Sequence, residues 1–150
     1  MPQSLSSVLV HLVFSTKDRV PQLKGPVALE IHPYLAGVLN NLACISIQTG
    51  GFVDHVHLFF GLPRTRTIAQ VVETVKTSSS KWIKGKGIEY SDFHWQSGYG
   101  AFSVSQSGAD AVVTYIRNQD EHHRKVSFQD EYRRFLKRYR VPYDERYVWD

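Results

Sequence analysis

At 150 residues the chain is long enough for one domain with a core of its own, and 42% hydrophobic with 21% charged residues excludes a disordered polymer. Its single cysteine, Cys44, excludes an intrachain disulfide and a cysteine-based zinc cluster; no run is long and apolar enough to span a bilayer and no charged-then-apolar leader is present, so a reducing cytoplasm is the expected compartment. The net charge of +4 is a mild bias, but Arg64, Arg66, Lys76, Lys81, Lys84 and Lys86 meet only Glu73 in their stretch, a basic region that suits a polyanion as well as it suits a solvated helix face.

In chain order, residues 7–15 alternate as a strand with Val8, Val10, Leu12 and Phe14 on one face. A polar loop from Lys17 to Gly25 follows. From Pro26 to Leu42, Ile31, Leu35, Val38, Leu39 and Leu42 recur at helical spacing, and Pro33 is expected to start or bend that helix. Residues 43–49 and 52–60 read as two strands, with Gly50-Gly51 as the turn of a hairpin. Thr67 is an expected N-cap for a helix to about Lys84, where Gly85-Lys86-Gly87 stops it. A loop with Phe93, His94 and Trp95 leads to a strand at about 99–105. A helix from Gly108 to about Lys125 and a last one over 128–139 complete the chain.

The order strand, helix, strand, strand, helix, strand, then two helices predicts one α+β domain over residues 1–150. It is a ferredoxin-like (RRM-like) split βαβ layout, with an antiparallel sheet, helices on one face and an additional C-terminal helix. The other face of the sheet is left for chemistry or a partner.

Two pairs of residues carry the chemistry. His55 and His57 sit two apart on a strand, so both imidazoles point to one face, while Val56, Leu58 and Phe60 form an apolar face opposite. Neighbouring imidazoles are ligands for a divalent ion, although His-x-His alone equally marks two polar residues on a solvated face. Tyr115 and Gln119 sit four apart on the helix that follows the last strand, at the edge of its apolar stripe. Two imidazoles, an amide oxygen and a phenol can make a metal site with a tyrosine nucleophile. A phenol is a weak nucleophile at neutral pH and needs an activated electrophile, which a metal on a phosphate oxygen supplies.

The run Gly50-Gly51-Phe52-Val53-Asp54-His55-Val56-His57-Leu58 resembles the His-hydrophobic-His motif of the single-tyrosine transposases of small bacterial insertion sequences, the IS200-like transposase family. Residues 77–82, Phe93 to Ser105, Tyr115-Ile116-Arg117-Asn118-Gln119 and Tyr143 to Trp149 resemble that family in the same order. The resemblance implies that His55, His57 and Gln119 bind a divalent metal, Mg2+ or Mn2+, although imidazole suits softer ions. It implies that Tyr115 attacks a phosphate of single-stranded DNA. The products are a 5′-phosphotyrosine and a free 3′-hydroxyl that later rejoins the ends. It also implies hairpin substrates at the element ends, a bacterial or archaeal, nucleoid-associated location, and a homodimer in which the tyrosine helix of one copy completes the site of the other.

Lys17, Arg19, Arg64, Arg66, Lys76 and Lys81 are candidate phosphate contacts. His11 is expected beside the histidine strand as a structural residue. His123 lies near Gln119 in angle, and is read as a charge partner of the helix end more than as a spare ligand. Two alternatives stand beside a transposase: a host-adopted nickase of repetitive hairpins, and a non-catalytic nucleic-acid binder. The binder predicts aromatic residues such as Phe59 and Phe102 exposed on the sheet.

Overall fold

The computed structural model describes residues 1–150. Its sheet has four antiparallel strands, β1 (Leu9–Ser15), β2 (Ile45–Phe52), β3 (His55–Gly61) and β4 (Gly100–Val104), in the order β2-β3-β1-β4. Helices α1 (Pro26–Asn41) and α2 (Ile68–Lys84) complete the split βαβ layout expected from the pattern, and α3 (Ala109–Arg117), α4 (Gln119–His122) and α5 (Phe128–Arg138) follow.

The two sheet faces are chemically distinct because strand residues alternate. Val10, Leu12, Phe14, Val56, Leu58 and Phe60 point to α1 and α2 and form the main core with Ile31, Leu35, Leu39, Val71, Val75 and Ile83. The opposite face carries His11, Val13, His55, His57, Phe59 and Phe102, aligned by the strand register. This face was expected to be open. Instead α3 to α5 cover it, with a second apolar cluster of Val13, Phe102, Phe128, Tyr132 and Leu136. Phe59 and Phe102 are therefore buried and offer no exposed stacking surface.

Three local expectations change. Gly50 and Gly51 lie inside β2, paired with His57 and Val56, and the hairpin turns at Val53-Asp54. The physical need at Gly50 is close packing, since a Cβ there would stand 2.7 Å from Cγ2 and 2.8 Å from the carbonyl of Ile116 on α3. Helix α1 runs through Pro33 from a start at Pro26, the first helical position, where a missing N–H costs nothing. The helix expected from Gly108 to Lys125 breaks at Asn118 (φ −97°, ψ 20°), so Tyr115 lies in the last turn of one segment and Gln119 begins the next. By contrast Thr67 caps α2 as expected, in a reciprocal pair with Gln70.

Candidate metal centre and tyrosine

His55 and His57 project from β3 under α4 and α5, and both are fully buried. Each is oriented through its Nδ1. For His55 the partner is Asp54 Oδ1 at 2.8 Å, which can only accept, so Nδ1 carries the hydrogen and Nε2 is aimed inward. For His57 the partner is Nε2 of His11 on β1, at 2.7 Å. His11 is thus where the sequence placed it, but it holds a neighbouring ring as well as filling space. His123 Nδ1 donates to the Val126 carbonyl at 2.7 Å, and its Nε2 also points inward. Orientation by an outer partner is the usual support for a ligating imidazole.

Two oxygens meet these three nitrogens. Gln119 Oε1 lies 2.9 Å from His55 Nε2 and 2.8 Å from His123 Nε2. Glu131 Oε1, from α5, lies 3.0 Å from His57 Nε2, 3.2 Å from His123 Nε2 and 3.4 Å from His55 Nε2. Ligands bound at about 2.1 Å to one ion stand roughly 3.0–3.4 Å apart in octahedral or tetrahedral geometry. The observed spacings match, and the ligand atoms of His55, His57, His123 and Glu131 all fall within 4.8 Å of one another. The donor set therefore fits a divalent cation.

The second carboxylate oxygen of Glu131 faces Tyr115. Tyr115 on α3 donates its hydroxyl to Glu131 Oε2, which also accepts from Gln119 Nε2 at 3.1 Å, and His122 Nε2 lies 3.3 Å from the same hydroxyl. The resemblance implied a tyrosine delivered by a second copy; here Tyr115 reaches the histidines of its own chain, with ring centroids of Tyr115 and His57 5.8 Å apart.

The electrostatics follow from this packing. Burial works against the charge on Glu131, but hydrogen bonds from His123, His55 and His57 overcome it and hold the carboxyl far below the usual carboxylate range. Burial likewise opposes a proton on His55, yet its bonds to Asp54 and Glu131 raise it from 6.5 to about 9. Burial wins at His57 and at His11, and both are lowered. Burial and then the Glu131 charge push the Tyr115 phenol well above its ordinary value, with Arg134 pulling weakly the other way. The cluster without an ion thus stores a proton on His55 and keeps Tyr115 protonated.

A family model described as "Transposase IS200 like" matches residues 4–119, well over half of the chain. The chain belongs to the IS200-like transposase family. Among solved structures it is similar to a candidate transposase from Deinococcus radiodurans R1, with a TM-score of 0.62 and 22% identity over 79% of this chain and 98% of that one. It is also similar to a REP-associated tyrosine transposase bound to a REP hairpin, with a TM-score of 0.62 and 13% identity over 84% and 74% of the two chains. At those identities the likeness is one of fold. No curated protein matches the chain.

The match of this IS200-like transposase to its family ends at Gln119, and two members of the candidate metal group, His123 and Glu131, lie beyond it. Glu131 was not singled out from the sequence, and His123 was given a lesser part. A signal for Glu131 existed: it shares the buried stripe of α5 with Phe128, Tyr132 and Leu136, where a carboxylate needs partners.

The basic candidates do not form one surface. Lys17 is exposed just beyond β1, and Arg19 lies nearby with its guanidinium 5.6 Å from the Trp149 ring. Exposed Arg64 and Arg66 follow the other end of β3, and exposed Lys81 lies on α2, behind the sheet. Lys76 is already engaged, donating to the carbonyls of Gln96, Ser97 and Gly98 at 2.7, 3.2 and 2.7 Å. Ser79, within the serine run, accepts from Trp95 Nε1 and donates to the Val75 carbonyl, which is a structural task.

Proposed function

We propose that this protein cleaves and rejoins single-stranded DNA at insertion-sequence ends, with Tyr115 as nucleophile. The observation that carries the reading is the double use of one carboxylate: Glu131 faces the imidazoles with one oxygen and the Tyr115 hydroxyl with the other. Phenol and metal ligands are thereby kept in register by a single side chain.

In this reading His55, His57 and Gln119 hold a divalent metal, Mg2+ or Mn2+, with Glu131 and His123 completing the set. The abundance of imidazole favours Mn2+ of the two. The bound ion would supply Lewis-acid polarisation of the scissile phosphate. Tyr115 Oη attacks phosphorus, held by its hydrogen bond to Glu131 Oε2, and its proton leaves to His122 Nε2, 3.3 Å away, or to water in the cleft. The bond from phosphorus to the 3′ oxygen breaks, leaving a 5′-phosphotyrosine and, once protonated, a 3′-hydroxyl. Attack by a 3′-hydroxyl on that phosphotyrosine reverses the step and joins ends without fuel. Exposed Lys17, Arg64, Arg66 and Lys81, with Arg19, are available to hairpin phosphates away from the scissile bond. A homodimer is proposed from the family resemblance, and the contact of Tyr115 with Glu131 of its own chain supports action within one chain.

The deciding experiment mixes end-labelled single strands from both flanks of the gene with wild type and Tyr115→Phe, in Mn2+ or Mg2+ and in chelator, on a denaturing gel. The expected result is a slow covalent adduct with wild type and metal only. Hairpin binding with no adduct or cut on any strand would favour the non-catalytic binder instead.

A further inference from the structure

Beside the Tyr115 hydroxyl, between α3 and α5, lies a cleft of about 660 Å³ that reaches the edge strand β4. That volume is in the range of small-ligand sites and can accept a nucleotide unit. Its walls include Tyr115, His122, Arg134, Phe135, Arg138 and Tyr139. We infer that this cleft holds the DNA strand across the scissile phosphate, with Arg134 and Arg138 as its phosphate contacts. The inference rests on the single-strand cleavage reading above and adds to it the residues that place the substrate.

Three observations carry it. Arg134 and Arg138 are four apart on α5, so both guanidinium groups serve the same side of the helix. Both are exposed, and neither forms an ion pair, whereas their neighbour Arg133 is committed to Asp130 and Glu145. The one acid on the cleft wall is Glu131, whose oxygens are taken by imidazoles, Gln119 and Tyr115. The cleft thus presents two free cations and no free anion next to the nucleophile, the complement of a phosphodiester. Apolar rings complete the fit. Phe135 stands edge-on to Tyr115 at 5.8 Å, and Tyr139 stacks on Phe102 at 4.9 Å, giving the sugar and base an apolar wall. None of the basic residues singled out from the sequence lines this cleft.

The test uses the full chain carrying Tyr115→Phe, which cannot cleave, and an unstructured labelled thymidine oligonucleotide. Anisotropy gives its affinity across a series of salt concentrations. Adding Arg134→Gln and Arg138→Gln together is expected to weaken binding about ten-fold and to lower the slope of log K against log salt by roughly 1.4, about 0.7 per lost phosphate contact on a single strand. Lysine at both positions is expected to restore most of the slope. Thermal melting of each variant should match the parent, since both side chains are exposed. An unchanged slope in the glutamine pair overturns the inference. In parallel, the same pair is placed in the Tyr115 background and run in the adduct assay with flanking strands. Adduct formation by wild type together with an unchanged rate and slope in the pair would sink the cleft and leave cleavage standing. A reduced slope with no wild-type adduct on any strand would keep the cleft and sink the cleavage reading.

Discussion

Tyr115 donates its hydroxyl to Glu131, a residue 16 positions later on a different helix. The pair joins α3 to α5 across the histidine face of the sheet, and Glu131 is only 1% exposed. A buried carboxylate in such a place must be matched on every side, and here imidazoles, an amide and a phenol do so.

Replacing Glu131 with Gln keeps the shape and removes the charge. Without an ion, the proton on His55 loses one of its two carboxylate partners, Asp54 remaining, and the phenol loses its strong acceptor. The variant is expected to be less stable by on the order of 3 kcal/mol in chelator, the scale for breaking a buried pair. Its Mn2+ affinity is expected to fall at least about ten-fold. Chemical denaturation and titration calorimetry read the two effects; an unchanged Mn2+ affinity would remove Glu131 from the ligand set.

Gly50→Ala tests how α3 is seated. The new methyl would press on Ile116, both side chain and carbonyl, one residue beyond Tyr115. Overpacking of this kind costs about 1–3 kcal/mol. Because α3 must shift, adduct formation is expected to drop by up to about 100-fold, the scale for an ångström of misplacement. A variant that melts and reacts like wild type would show that α3 yields freely at this contact.

Much of the layout was legible because periodicity reports it directly. The alternation of Val56, Leu58 and Phe60 with His55, His57 and Phe59 set the two faces of β3, and Thr67 marked the start of α2. Gly50-Gly51 misled because the glycines answer to a tertiary contact with Ile116, and no local pattern distinguishes that from a turn. The break at Asn118 is likewise invisible to a helical wheel. It arises where α4 turns Gln119 into the imidazole cluster, a requirement set by β3. Glu131 and His123 lie far along the chain from His55 and His57, so only folding brings them together.

Lys76→Met separates a structural lysine from a phosphate contact. Burial lowers the Lys76 ammonium from 10.5 to about 8, and its three carbonyl partners tie α2 to the loop before β4. Losing a charged donor to several carbonyls is expected to cost about 2–3 kcal/mol. Oligonucleotide affinity and its salt slope should stay at the parent values. A lower slope with unchanged melting would instead return Lys76 to the DNA-contact set.

The stability of the metal-free protein should pass through a maximum near neutral pH. His55 holds its proton up to about pH 9 when folded, against 6.5 when unfolded, so its contribution is complete below 6.5 and fades as pH rises toward 9. At full effect this amounts to at most about 3 kcal/mol. His11 and His57 are shifted the opposite way by burial, so the unfolded chain takes up protons below 6.5 that the folded chain refuses, and acid destabilises. Glu131 adds to the acid loss, since its depressed carboxyl contributes above its ordinary 4.5 and that contribution disappears as pH falls. Melting in chelator is therefore expected to peak near pH 6.5–7 and decline toward 8, above which the depressed Lys76, protonated up to 10.5 only when unfolded, offsets the further loss at His55. Saturating Mn2+ should raise the melting temperature and flatten the alkaline decline, because ion and proton compete for His55 Nε2. A melting temperature in chelator that does not change between pH 6.5 and 8 would contradict the stored proton on His55.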